Sequence, residues 1–325
     1  MQSPSSSRNA HASVPTVIGR TRAMATDISI TVVGEDRARL QAAVDQALNV
    51  FRDVESQCSR FDPRSALMKA NAAPAAWIAV PPYCFDALAA AAAAYRRTCG
   101  RFDPRVHDDL CRLGYGRSLA FEAGDVVLRA ESARGRPELP EWKPRFRPRL
   151  GLVHLGGYRV DLGGIGKGLS VRWAVDTLRA HTDDFLVEAG GDCYAAGCAP
   201  DGGPWRIGVE DPLNPAQPIA VLAVSDRAVA TSSVRIRHWT AGGSAVHHLI
   251  DARTGLPGGA GLCAVTVVDD DVADAEVNAK ALFLEGENAI ADAVGPQQIA
   301  ACWVTTDGVR EFSMAVEQFV QWRRA

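Results

Sequence analysis

Between Asp161 and Gly168 the chain reads Asp-Leu-Gly-Gly-Ile-Gly-Lys-Gly. Glycines let a backbone approach a ligand closely, a helix starting here would present unpaired N–H groups and its positive dipole end, and Lys167 adds a point charge. Such a segment can receive a phosphate. Its spacing fits neither GxGxxG nor GxxxxGK[ST], so the dinucleotide-fold and P-loop patterns are excluded, while a plain strand-to-helix turn would use the same glycines. Gly190-Gly191-Asp192 offers a second close backbone approach, with Asp192 as acceptor for a ribose or flavin group, and is equally readable as a tight turn. His247 and His248 precede Asp251 and Arg253. Adjacent side chains on a strand point to opposite faces, so at most one of these histidines joins a site with Asp251. Glu276 and Lys280 stand four apart in a helical stretch and share a face, which reads either as a surface ion pair or as a charged pair turned toward a ligand.

These groups need elements to hold them. Asp27–Val33 alternates as a half-buried strand, and Leu40, Val44, Ala47, Phe51 and Val54 recur at helical spacing over 37–57. Further helices are predicted at about 83–98, 168–181, 274–285 and 287–294. Strands are predicted at Tyr158–Leu162, Phe185–Ala189, Ile219–Val224, Cys263–Val268 and Ala300–Thr305, with a strand or helix closing the chain. The stretch Arg134–Pro148 reads as an exposed loop. Strands and helices do not alternate strictly, which implies an α+β layered domain with mixed sheets rather than a doubly wound sheet.

Composition sets the outer bounds. The 325 residues are 47% hydrophobic and 22% charged, enough for a full core, and 35 Lys plus Arg against 38 Asp plus Glu disfavour nucleic acid or an anionic membrane as partner. The apolar run Ala87–Tyr95 is half the length of a membrane span and reads as a buried helix, so no membrane segment is expected. Eight cysteines without zinc spacing read as reduced, mostly buried thiols. The Ser- and Pro-rich start lacks an apolar signal core, which implies a flexible tail over 1–18 on a cytoplasmic protein, with one domain over 19–325.

Taken together and in order, six blocks resemble the ApbE family, the FAD:protein FMN transferases. They are Met24-Ala-Thr26; Ser59-Arg-Phe61 through Leu67 with Asn71; Phe102-Asp103-Pro104 with Leu113-Gly114-Tyr115; Asp161–Gly168; Val187–Asp192; and Ala230-Thr231-Ser232 with His248–Gly255. The resemblance runs from about Arg22 to Gly286 and implies an ApbE-like fold. By it, Met24, Phe61, Arg101, Phe102, Asp103, Asp161, Gly163, Gly164, Gly191, Asp192, Ile250 and Asp251 belong to the FAD site, and the Gly164 carbonyl faces a Mg²⁺ ion. The implied reaction moves FMN from FAD to a Ser or Thr hydroxyl of an acceptor protein and releases AMP. Lys167 and Lys280 would supply charge, and Glu276 is the candidate general base.

The chain departs from the family's pattern where the metal would sit. The block A-D-A-x-x-T-A-L-F aligns with Ala275–Phe283, so that Asp becomes Glu276 and Thr becomes Lys280; a shifted register would offer Asp274 and Asn278 as metal ligands instead. Arg105, His107 and Asp108 replace smaller residues elsewhere. An ammonium at position 280 cannot donate a lone pair and would compete with Mg²⁺. Two other functions therefore stand beside transfer: an FAD-binding protein that has lost it, and an FAD pyrophosphatase giving FMN and AMP.

Overall fold

The computed structural model describes residues 14–119, 121, 126–128, 135–296 and 298–324. Its backbone is an eight-stranded sheet whose spatial order follows the chain: β1 (Thr16–Ala23), β2 (Thr26–Val33), β3 (Phe185–Ala189), β4 (Asp192–Ala196), β5 (Arg227–Ser233), β6 (Leu262–Asp269), β7 (Ala300–Thr305) and β8 (Arg310–Phe312). Every neighbouring pair is antiparallel. The α+β class holds. Among the described residues the parallel pairing is confined to Thr240–Ala241 against Val127–Leu128, outside this sheet.

Both faces of the sheet are covered. On one, Ile28, Ile30, Val32, Val187, Val265 and Val267 pack against helices α1 (Arg37–Cys58), α5 (Gly166–Arg179) and α6 (Val272–Phe283). On the other, Val33, Cys193, Ala195, Val229, Val268 and Val304 meet a three-stranded sheet carrying Trp205, Val209, Ile219 and Leu222. Strands buried on both faces lose the in–out alternation that marks a strand in sequence, which is why β4, with all five residues buried, was not anticipated. The remaining helices are α2 (Ala66–Ala72), α3 (Pro82–Arg97), α4 (His107–Arg112) and α7 (Glu287–Val294). The apolar run at Ala87 is the buried face of α3. No described helix is long and apolar enough to cross a membrane.

Three expectations need correction. Thr16, Val17 and Ile18, assigned to the tail, belong to β1 and pair with Val33, Val32 and Thr31; the tail's residues 1–13 lie outside the described set. Tyr158–Leu162 is not a sheet strand. The Asn71 side chain bonds both the N–H and the C=O of Val160, at 2.9 Å each, and Asp161 N donates to Pro104 O at 2.7 Å, so side-chain and loop partners replace a ladder. Arg134–Pro148 is not wholly exposed: residue 134 lies outside the described set, Arg145–Arg147 pairs with Leu152–His154, and Trp142 is buried with its indole N–H on Leu155 O. All eight cysteines are free thiols, five of them buried.

The helix pair that carries the site is held by a close crossing. Asp271 caps α6 by accepting from Asp274 N at 3.0 Å and also ion-pairs with Arg172 of α5. At the crossing, a methyl group on Gly168 would lie 2.7 Å from both Ala273 Cα and Val272 O, which are backbone atoms that cannot step aside. Gly168→Ala should therefore destabilise the fold by roughly 2 kcal/mol or more, read as a lower urea midpoint at unchanged slope; an unchanged midpoint would contradict the crossing.

Candidate functional site

The glycine turn comes first because everything else faces it. Asp161 Oδ1 accepts from Gly163 N at 2.7 Å, and Gly166 N returns to Leu162 O at 2.7 Å, so the chain reverses sharply before α5 begins. At the start of α5, Gly168 N donates to Glu276 Oε2 at 2.8 Å. The helix end is thus not an open set of amides: one of its donors already holds a carboxylate brought by α6. The other oxygen of that carboxylate, Oε1, accepts from Lys167 Nζ at 2.7 Å, and Lys167 also pairs with Asp192, the first residue of β4. Asp192 is fully buried at the end of the β3–β4 hairpin, whose turn residues Gly190 and Gly191 have φ of +58° and +95°. Two successive left-handed residues are what a two-residue hairpin of this twist requires, and glycine adopts them without strain.

Burial opposes the charge on Lys167, but Asp192 and Glu276 more than offset it and hold the ammonium above its ordinary value. Asp192 is pushed up to about 7 by burial, with Lys167 pulling it down and Glu276 pushing the same way as burial. Lys280 lies one turn beyond Glu276. It is 7% exposed, has no ion pair or hydrogen bond with any described residue, and has the Phe102 ring 5.7 Å from its Nζ. A methyl group on Gly164 would lie 2.8 Å from both Cδ and Nζ of Lys280. Burial lowers the Lys280 amine below its ordinary value, against the pull of Asp161, Glu276 and Asp103.

This turn forms one end of a cavity of about 780 Å³. The adjoining wall comes from the segment after α1. Arg60 Nε lies 2.8 Å from Asp161 Oδ2, its Nη1 donates to Tyr115 O at 2.6 Å, and its guanidinium lies 4.1 and 4.2 Å from the Phe61 and Tyr115 ring centres. Asp161 Oδ2 is buried and makes no aligned hydrogen bond. Met24, in the β1–β2 turn, has φ +55° and donates its N–H to Glu55 Oε1 at 2.8 Å; Ala25 beside it has φ +56°. His248 faces the cavity with Nδ1 3.3 Å from Arg237 O. A carbonyl only accepts, so Nδ1 carries the hydrogen and Nε2 keeps a lone pair. Lost hydration, helped by Arg237, Lys280 and His247, pushes His248 well below the usual imidazole range. Its neighbour His247 turns the other way onto Phe283, ring centres 5.9 Å apart.

Of the residues singled out in the sequence, Met24, Phe61, Asp161, Gly163, Gly164, Gly191, Lys167, Glu276 and Lys280 line this cavity. Six do not. Phe102 backs Gly164 from behind, its ring 3.3 Å from where a methyl would stand, and Asp192 backs Lys167. Arg101 pairs with Glu285 at 2.7 Å and Asp103 is taken by Arg105, at 2.7 Å. Ile250 is buried beside Val106, Leu110 and Trp239, and Asp251 is held by Arg253. The alternative pair also lies elsewhere: Asp274 binds Arg97 at 2.6 Å and Asn278 binds Asp269 at 3.0 Å. Glu276 and Lys280 do not form the surface ion pair that their spacing allows, because both are buried and Lys167 takes the carboxylate. Arg60 and Tyr115 were not anticipated as site residues; both sit inside quoted blocks, so the signal was their position between motif residues. Of the two histidines weighed with Asp251, His248 lines the cavity, while Asp251 does not.

The family model for the ApbE family matches residues 24–303. This chain belongs to the ApbE family. The FAD:protein FMN transferase of Treponema pallidum is 28% identical over 267 residues, covering 77% of this chain and 73% of that one. The Vibrio cholerae protein of the same description is 32% identical over 161 residues, 47% of each. Among solved structures, the ApbE protein of Thermotoga maritima superposes with a TM-score of 0.80 at 24% identity, covering 95% of this chain and all of that one. The Pseudomonas stutzeri flavinyl transferase ApbE gives 0.74 at 21% identity, with 95% and 98% covered. At these identities the superpositions establish the ApbE fold.

The buried Arg60–Asp161 pair is sensitive to mutation. Asp161→Asn keeps an acceptor for Gly163 N–H but strands a guanidinium whose side chain is 8% exposed. A loss of about 3 kcal/mol is expected in urea unfolding, since breaking one partner of a buried pair leaves an uncompensated charge. A change under about 0.5 kcal/mol, the size of a surface pair, would contradict the burial.

Proposed function

We propose that this chain is an FAD:protein FMN transferase, holding FAD in the cavity and moving its FMN part to a Ser or Thr hydroxyl of an acceptor protein. The observation that carries the reading is the arrangement along one cavity: a glycine turn with lysines at one end, an arginine-backed aromatic pair beside it, and a neutral imidazole facing the space between. The diphosphate is assigned to the Gly163–Gly164 turn and Lys280. Phe61, half-buried on the cavity wall, offers a face for a ring system, with Tyr115 and Arg60 packed behind it.

In the reaction the acceptor oxygen attacks the flavin-side phosphorus, that phosphorus parts from the bridging oxygen, and AMP leaves with it. The hydroxyl proton needs a base. Glu276, the candidate from sequence, has both oxygens engaged by Lys167 and Gly168. His248 Nε2 suits the role better: Arg237 O fixes the tautomer, and burial beside Lys280 keeps the ring neutral. Lys280 then faces the charge that develops on the diphosphate, where a donor already fixed in place contributes most.

A Mg²⁺ ion, implied by the resemblance, would polarise the diphosphate oxygens when bound. The side chains at Gly164 do not fit it. Magnesium demands near-octahedral oxygen ligands, whereas Asp161, Asp192 and Glu276 are each paired with a protein cation. No group of three or more potential ligands is assembled among the described residues.

Incubation with FAD, with and without acceptor, tests the reading by product. Covalent flavin on the acceptor with equimolar AMP supports transfer; FMN and AMP without acceptor would mark a pyrophosphatase, and intact FAD a binding protein. His248→Ala should lower transfer by roughly 10²- to 10⁴-fold, the usual range for a general base, while FAD affinity changes far less. A base works unprotonated, so a lowered pKa moves the acid limb of the rate profile below the ordinary imidazole value. The acid limb that His248→Ala abolishes should lie below the ordinary imidazole value of about 6.5, and one centred at or above that value would contradict the assignment.

A further inference from the structure

The two ammonium groups at the diphosphate end are not equivalent. Lys167 is spent within the protein, held between Asp192 and Glu276, and its positive charge is outnumbered by the two carboxylates. Lys280 is buried on the same helix as Glu276 and lines the cavity, yet no described carboxylate lies within ion-pairing distance. An unpaired buried ammonium works against folding, and an apolar side chain of the same length would fill its space without that cost. Its end instead presses on the one glycine whose missing side chain makes room for it. Phe102 closes the space behind, so the ammonium has the cavity as its open side.

We infer that Lys280 is the resident cation of this site, binding the diphosphate of FAD directly, so that the nucleotide is held without a divalent metal. The inference rests on the flavin transferase reading and adds to it what neutralises the substrate. An ammonium supplies one charge and three donors, with no demand for a six-oxygen shell. It stands against the Gly164 position that the family resemblance gives to magnesium, and the carboxylate that would join such a shell, Glu276, is withdrawn by Lys167 and Gly168.

The test is a titration of the purified full chain with FAD and, separately, with riboflavin, which lacks the diphosphate. Each is run in EDTA and in excess Mg²⁺ and followed by flavin fluorescence. Wild-type affinity for FAD should be the same in both media within about threefold, and Lys280→Met should lose about tenfold or more in EDTA, as expected for removal of a charge-assisted contact. Riboflavin affinity should not move, Lys280→Arg should restore most of the FAD affinity, and unliganded Lys280→Met should melt no lower than wild type. A merely structural lysine would give the opposite pattern, with lower stability and both ligands weakened alike. Tenfold or greater dependence of wild-type FAD binding on Mg²⁺, or unchanged FAD affinity in Lys280→Met, overturns the inference. Should Lys280→Met fail to fold, the comparison of EDTA with Mg²⁺ on the wild type decides alone. Failure of wild type to bind either flavin overturns the transferase reading, and this inference falls with it.

Discussion

One buried charge cluster fixes this site: Lys167 on α5, Asp192 at the head of β4 and Glu276 on α6. Three separate pieces of chain meet there, and each brings a group that could not be buried alone. Removing an ion from water costs several kcal/mol unless partners with good geometry replace the lost hydration. Glu276 meets that condition fully, with one oxygen on the Lys167 ammonium and the other on the Gly168 amide. The cluster therefore sets the angle of α6 on α5, and the close passage of Gly168 against Ala273 lets the two helices approach near enough to form it.

The consequences spread outward. With Glu276 drawn toward α5, the next turn of α6 delivers Lys280 against Gly164 at the cavity. With Asp192 anchored, the Gly190–Gly191 turn is held at the cavity rim. Beside the turn Arg60 does for Asp161 what Lys167 does for Glu276, while stacking near two aromatic rings. Each acid around the glycine turn is thus paired within the protein, Asp161 with Arg60 and both Asp192 and Glu276 with Lys167. What remains for an anionic substrate is one lysine, Lys280, with no described carboxylate on it.

Much of this was legible in the sequence because it depends on local pattern. The glycine turn, the GGD hairpin and the four-residue spacing of Glu276 and Lys280 each follow from short-range geometry. Two-sided burial hid β4, whose five residues carry no alternation. Tyr158–Leu162 carries a strand-like pattern, but the Asn71 side chain takes the place of a neighbouring strand. Partner choice was the least readable feature. Nothing local says that Asp103 closes on Arg105, that Asp251 closes on Arg253, or that Glu276 prefers Lys167, 109 residues away, to Lys280 on its own face. Those pairings decide which groups stay free for a ligand, and they are settled only by tertiary packing.

The central claim is that positive charge at the diphosphate comes from the chain and not from a divalent ion. Its most direct test is electron paramagnetic resonance of Mn²⁺, a close substitute for magnesium, titrated into the protein saturated with FAD. The account predicts a free-Mn²⁺ signal reduced no further than by FAD alone at the same concentration. Loss of one equivalent of signal per protein chain, restored by Mg²⁺ in competition, would contradict it.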